Sequence, residues 1–171
     1  MVDANLLVTH DPNHAGLARQ EITYVLKKIG ITPNFLDSKV EGLIKINIKD
    51  PKQAVKKLYD ICKKEPSLLS MTFHWIPVDN WTKSRIEDMQ HVIKGLAKNI
   101  GEKEKWKMDI AKRRYDKYHT TELIMKLTEV VDKPNVDLKD PDRIIRVDII
   151  GNEAAVSLLK KQELLNITLL K

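Results

Sequence analysis

The sequence predicts an α+β chain of two units, and three observations carry that prediction. Leu43–Ile48 and Arg143–Ile150 alternate apolar and polar residues with a period of two, as half-buried strands do. Apolar residues recur at helical spacing over Leu17–Ile29 and again over Ile86–Ile100. A mostly polar stretch, Pro77 to Lys83, separates two sets of such elements and places one unit at 1–78 and the other at 79–171. With 171 residues, 42% of them hydrophobic and 32% charged, the chain can bury two small cores and is too apolar to be disordered.

In the first half, Asn5–Thr9 is a short apolar strand. Asp11-Pro12 then opens a helix whose inward positions are Leu17, Ala18, Ile22, Val25, Leu26 and Ile29, and Gly30 stands where a helix-ending glycine belongs. Asn34–Leu36 leaves room for an edge strand and Glu41-Gly42 for a turn. Leu43–Ile48 follows with Ile44, Ile46 and Ile48 on the core side. Asp50-Pro51 joins a capping residue to a proline at the first helical position, and Ala54, Val55, Leu58, Ile61 and Cys62 form a buried stripe that ends at Pro66. Leu68–Ile76 is the last strand of the set. The order strand, helix, strand, strand, helix, strand is the split βαβ, or ferredoxin-like, arrangement: an antiparallel sheet with two helices on one face.

In the second half, Ser84-Arg85-Ile86-Glu87 has the form of a capping box, and its helix turns Ile86, Met89, Ile93, Leu96, Ala97 and Ile100 inward before Gly101. Trp106, Met108 and Ile110 alternate with Lys105, Lys107 and Asp109 as a strand. A helix capped by Thr120 or Thr121 comes next, with Leu123, Ile124, Leu127, Val130 and Val131 on one face, and Lys133-Pro134 breaks it. Asp140-Pro141-Asp142 turns into the strand that carries Ile145, Val147 and Ile149, and Gly151-Asn152 returns it as a hairpin into Ala154–Leu159. The tail, Leu164–Leu170, adds an edge strand. Trp75 and Trp81 flank the linker and are expected to staple one unit to the other.

The residues that could do chemistry are few. Cys62 is the only cysteine, so the chain can form no internal disulfide and no thiolate zinc site, and a reducing compartment is expected. His10 and His14 lie four apart, but Pro12 separates them and no third ligand is near in sequence. Neither a Gly-x-Gly-x-x-Gly turn, a phosphate-cradling Walker loop nor a Gly-x-Ser-x-Gly elbow occurs. No catalytic residue, metal or cofactor is expected. The chain opens on no basic segment followed by an apolar one and has no apolar run long enough to cross a bilayer, so a cytoplasmic location is expected and no membrane partner.

Charge gives the positive signal. Thirty lysines and arginines against 24 acidic residues leave a formal net charge of +6, which suits an anionic partner. The cations concentrate where the strand that begins at Lys105 gives way to Lys112, Arg113, Arg114, Tyr115, Lys117, Tyr118 and His119. Cations neutralise phosphate, rings stack on unpaired bases, and the N–H groups at the start of the next helix bind anions. Lys83, Arg85, Lys94 and Lys98 on the preceding helix give support.

Lys105 to Leu123, followed by Val136-Asp137-Leu138-Lys139-Asp140-Pro141-Asp142 and the strand Arg143-Ile144-Ile145-Arg146-Val147-Asp148-Ile149-Ile150, resembles the THUMP domain of tRNA-modifying proteins. The resemblance covers most of residues 80–160. It implies an N-terminal ferredoxin-like domain at 1–78, a THUMP RNA-binding domain at 79–171, and tRNA as partner, gripped at its acceptor end near the 3′ CCA. Matched onto this chain, the family pattern implicates Lys112, Arg113, Arg114, Lys117, Tyr118 and His119. Lys105 and Lys107 are expected as outer contacts, and Arg143 and Arg146 match its basic strand, although Arg146 could equally pair with Asp148 or Asp109. THUMP proteins usually carry a further catalytic domain, and none follows here. The resemblance therefore points to a non-catalytic adaptor that presents tRNA to a separate modifying enzyme, an RNA cytidine acetyltransferase forming N4-acetylcytidine. The alternatives are the RNA-binding subunit of a split tRNA methyltransferase or thiouridine synthetase, or a protein-interaction module without RNA binding.

Overall fold

The computed structural model describes residues 3–170, so residues 1, 2 and 171 of the expected domain ranges lie outside it. In chain order its elements are β1 (Leu6–His10), α1 (Ala15–Lys28), β2 (Asn34–Leu36), β3 (Leu43–Asn47), α2 (Pro51–Lys64), β4 (Thr72–Pro77) and β5 (Asn80–Lys83). There follow α3 (Ile86–Ala97), β6 (Trp106–Arg113), α4 (Thr120–Thr128), β7 (Arg143–Ile150), β8 (Glu153–Lys160), β9 (Leu165–Asn166) and the short α5 (Ile167–Leu170). They form two compact units: the residues up to Val78 together with those from Gln162 onward, and Asp79–Lys161. No helix of the described residues is long and apolar enough to cross a membrane.

The first unit is an antiparallel sheet in the order β2-β3-β1-β4-β9, the ferredoxin-like order with one short strand added at the β4 edge. Val8 pairs with Ile44 on one side and Trp75 on the other, so the alternation read in the sequence brings one residue from each strand onto the helix-covered face. There they meet Ile22 and Leu26 of α1 and Val55, Leu58 and Cys62 of α2. Trp75 is fully buried in this core, packed among residues of its own unit. Its indole N–H donates to Thr72 Oγ1 (2.9 Å), whose hydroxyl donates to Glu21 Oε2 (2.9 Å). Glu21 also accepts from the Ser70 and Met71 backbone N–H groups, so one carboxylate of α1 fixes the entry to β4.

The second unit is a four-stranded sheet in the order β5-β8-β7-β6, with β6 and β7 parallel and the other pairs antiparallel. Ile145, Val147 and Ile149 of β7 form its central row. Met108, Val156 and Leu158 flank them, and Met89, Ile93, Leu123 and Leu127 from α3 and α4 cover them.

Several local expectations need correction. The linker narrows to Val78 and Asp79, because Asn80–Lys83 pairs along β8 as a strand; its Asn-Trp-Thr-Lys sequence lacks the run of apolar residues that marks one. The tail is not a long edge strand of the second unit. Only Leu165 and Asn166 are extended; they pair with Trp75 and His74 of β4, and Leu165 and Ile167 enter the first core. Ser84 does not cap α3: its Oγ–H donates to Gly151 O (2.8 Å), and Arg85 takes the capping position. Asp50 precedes α2 in a left-handed conformation (φ 49°) and makes no side-chain cap bond. His119, not Thr120 or Thr121, caps α4. The strand expected from Leu68 begins at Thr72, after a 3₁₀ turn over Pro66–Leu68.

Two glycines are demanded by backbone shape. Gly30 (φ 77°) lets its own N–H bond Lys27 O and that of Ile31 bond Leu26 O, the paired bonds that close α1. Gly42 (φ 78°) receives the His10 N–H on its carbonyl, and a Cβ there would lie 3.0 Å from His10 O. Gly42→Ala is expected to lower the stability of the chain by about 1–3 kcal/mol in urea denaturation. Gly16→Ala, where an added Cβ meets nothing within 4 Å, is expected to be neutral or mildly stabilising. Equal midpoints for the two variants would contradict this account of the β2–β3 loop.

Candidate nucleic-acid interface

β5 and β6 run in the same direction as β7, since β8 is antiparallel to both β5 and β7. The ends of these three strands therefore share one rim of the second sheet, and α3 and α4 both begin there. Helix N-termini present unpaired N–H groups and a partial positive charge. The register thus puts cations from β6 beside the electropositive ends of two helices.

The structure brings Lys112, Arg113, Arg114, Lys117, Tyr118 and His119 together on this rim. Lys112 Nζ donates to Tyr118 O (3.1 Å) and so ties the loop back onto the strand end. Tyr115 and Tyr118 pack half-buried on the second core. Burial, with Tyr118 beside it, pushes the Tyr115 hydroxyl above its ordinary pKa. The Tyr118 ring is approached by Lys126 Nζ (5.2 Å) and Lys117 Nζ (5.9 Å), so its π-face is partly used within the protein. Arg114 is exposed and left-handed (φ 55°), at the point where the chain leaves β6. His119 is exposed; its N–H donates to Glu122 Oε1 (3.3 Å), which occupies one of the α4 end groups. Among the described residues Arg113, Arg114 and Lys117 make no ion pair with a carboxylate, which leaves their charge available.

Two further segments complete the rim. Gly151 N–H donates to Arg113 O (2.8 Å), Ser84 N–H to Asn152 O (2.9 Å), and Ser84 Oγ–H to Gly151 O. Lys83 and Arg85, read in the sequence as a helix's outer charges, are thereby fastened next to the β6 end. Arg85 is partly spent on Asp88 (2.8 Å). A signal for this was present in the hairpin Gly151-Asn152, but only the register shows that it meets Ser84.

The other implicated residues lie elsewhere. Lys105 and Arg143 stand at the opposite end of β6 and β7, and eight residues of strand span about 23–26 Å. There Lys105 Nζ is 3.7 Å from Asp137 and Arg143 Nη1 is 3.3 Å from Glu104. The backbone N–H groups of Asp140 and Lys139, with Lys105 adding to them, hold the Asp137 carboxyl below its ordinary pKa. Lys107 pairs with Asp109 at 3.4 Å. Arg146 makes two 3.0 Å bonds to Asp148, and both side chains are about nine-tenths buried. Burial disfavours the charge on Arg146, but Asp148 and Asp109 outweigh it and hold the guanidinium above its ordinary pKa. No group of three or more His, Cys, Asp or Glu side chains is placed to hold a metal ion among the described residues.

The profile of the THUMP domain matches residues 83–159, from the last residue of β5 to the penultimate residue of β8. Residues 83–159 are a THUMP domain. The THUMP domain is an RNA-binding domain, and the rim lies within the matched residues. No curated protein sequence matches the chain. Solved structures share its fold. PH1313 from Pyrococcus horikoshii is 16% identical, with a TM-score of 0.60 over 91% of this chain and 54% of that one. TrmN from Thermus thermophilus is 17% identical, with a TM-score of 0.54 over 90% and 44%. A protein from Clostridium difficile described as a possible methylase is 10% identical, with a TM-score of 0.59 over 92% and 41%. The chain thus spans about half the length of these proteins or less.

Three variants separate the rim of this THUMP domain from its paired charges. Arg114→Gly suits the local backbone and removes only the side chain, so it is expected to weaken RNA binding and reduce the slope of log K against log salt by about one. Arg143→Ala is expected to leave that slope unchanged. Arg146→Ala strands Asp148 in the interior and is expected to cost about 3–5 kcal/mol in urea denaturation. Equal slopes for all three variants would sink the assignment.

Proposed function

We propose that the chain binds tRNA at its acceptor end and presents it to modification chemistry carried by a separate enzyme. The single observation that carries this is the uncompensated cation cluster Arg113, Arg114 and Lys117 beside the starts of α3 and α4 in a THUMP domain. Such a surface grips phosphates with little regard for base sequence. Half-buried Tyr118, with lysines over its face, contributes more to holding the loop than to stacking on a base. In this reading Lys105, Lys107, Arg143 and Arg146 are structural pairs, and the contacts are Lys112, Arg113, Arg114, Lys117 and His119, with Lys83 and Arg85 added.

An RNA cytidine acetyltransferase is the partner that the family resemblance favours. A methyltransferase is the second reading. It is supported by the Clostridium difficile protein described as a possible methylase, which shares this fold over 92% of the chain and extends well beyond it.

The test is binding of the full chain to intact tRNA and to the same tRNA lacking its 3′ CCA, titrated with salt. Tight, salt-sensitive binding that falls when the CCA end is removed is expected. Equal affinity for both RNAs would overturn the acceptor-end reading and leave a general RNA surface.

A further inference from the structure

The first unit holds a cleft of about 430 Å³ between the start of α1 and the loop joining β2 to β3, outside the THUMP domain. Its volume is in the range of small-ligand sites. The pairing of β1 with β4 shifts register between Thr9 and His10, and such bulges re-aim the residue they contain. His10, 5% exposed, lines the cleft. Its Nδ1 lies 2.7 Å from Asp11 O, a carbonyl that can only accept, so Nδ1 carries the proton and Nε2 is an acceptor in the neutral ring. Nε2 has no hydrogen-bond partner among the described residues. Gly42, with no room for a Cβ against His10 O and with its carbonyl accepting the His10 N–H, holds the β2–β3 loop against the end of β1.

The cleft also carries fixed positive charge. The Arg19 guanidinium lies 4.5 Å from the centroid of the Phe35 ring, which orients it without using its N–H groups. Arg19 and Lys39 line the cleft and make no ion pair with a carboxylate among the described residues. Asp37 and Glu41 line it too, and their carboxylates accept hydrogen bonds. A ligand that meets both sets needs an anionic group for Arg19 and Lys39, and O–H or N–H donors for His10 Nε2, Asp37 and Glu41. Inorganic phosphate or an apolar molecule meets only part of this.

We infer that the cleft binds a ribonucleoside monophosphate, with phosphate on Arg19 and Lys39 and hydroxyl or amino donors on His10, Asp37 and Glu41. The same chemistry is offered by a nucleotide within bound RNA and by a free nucleotide. The first source rests on the RNA-binding reading above, and the second does not.

The experiment is amide NMR on the full chain, titrated with adenosine 5′-monophosphate, 2′-deoxyadenosine 5′-monophosphate, inorganic phosphate and tRNA in separate series. Saturable shifts at His10, Arg19 and Lys39 with the ribonucleotide are expected, with weaker binding of the deoxynucleotide and none of phosphate. Arg19→Ala is expected to reduce the affinity about tenfold or more, while Arg114→Gly leaves it unchanged. If tRNA moves the same signals and competes, the occupant is a nucleotide of the RNA. If it does not, the occupant is a free nucleotide. The absence of shifts at these residues with both the ribonucleotide and tRNA would overturn the inference, and tRNA binding that still depends on Arg114 would leave the rim assignment standing.

Discussion

The parallel pairing of β6 with β7 is the constraint from which the interface follows. Two parallel strands cannot be joined by a tight turn, so the chain must cross back over the sheet, and it does so through α4. The crossover begins where β6 ends. Any cation that the sequence places at the end of β6 is therefore delivered beside the electropositive start of a helix. The antiparallel hairpin of β7 with β8 and the pairing of β8 with β5 bring the start of α3 to the same rim. Gly151 N–H on Arg113 O and Ser84 Oγ–H on Gly151 O fasten the three segments together. One choice of strand direction thus concentrates positive charge from segments far apart in sequence.

Electrostatics then sort the basic residues by what surrounds them. Lys105, Lys107, Arg143 and Arg146 each stand within 4 Å of a carboxylate, and the most buried of them, Arg146, has the most complete pairing. A guanidinium buried among apolar strands must be paired, because isolated charge in the interior is far too costly. At the rim, solvent bears that cost and the cations need no internal partner. The excess charge of the chain is available for an anionic ligand only where the fold has not already spent it.

Much of this was legible in the sequence. Ile44, Ile46, Ile145, Val147 and Ile149 alternate cleanly because each sheet buries that face under helices, and the ferredoxin-like order followed from counting such elements. What the sequence hid were features decided by partners. Ser84 has the look of a helix cap, but the distant Gly151 carbonyl takes its hydroxyl. β5 is polar because it is an edge strand, held by its ladder to β8. The tail returns to pair with β4, since Leu165 and Ile167 complete a core formed far earlier in the chain. In the candidate site the cluster from Lys112 to His119 was evident as a run of charge. The separation of Lys105 and Arg143 from it was not, because strand length and register set that distance.

The most direct measurement is hydrogen exchange along the full chain, free and saturated with tRNA. If RNA is held where the parallel strands end, protection will appear in residues 83–86, 112–120 and 150–153 and leave 103–107 and 136–143 unchanged. Protection confined to the segments around Lys105 and Arg143, at the opposite end of the sheet, would contradict the account.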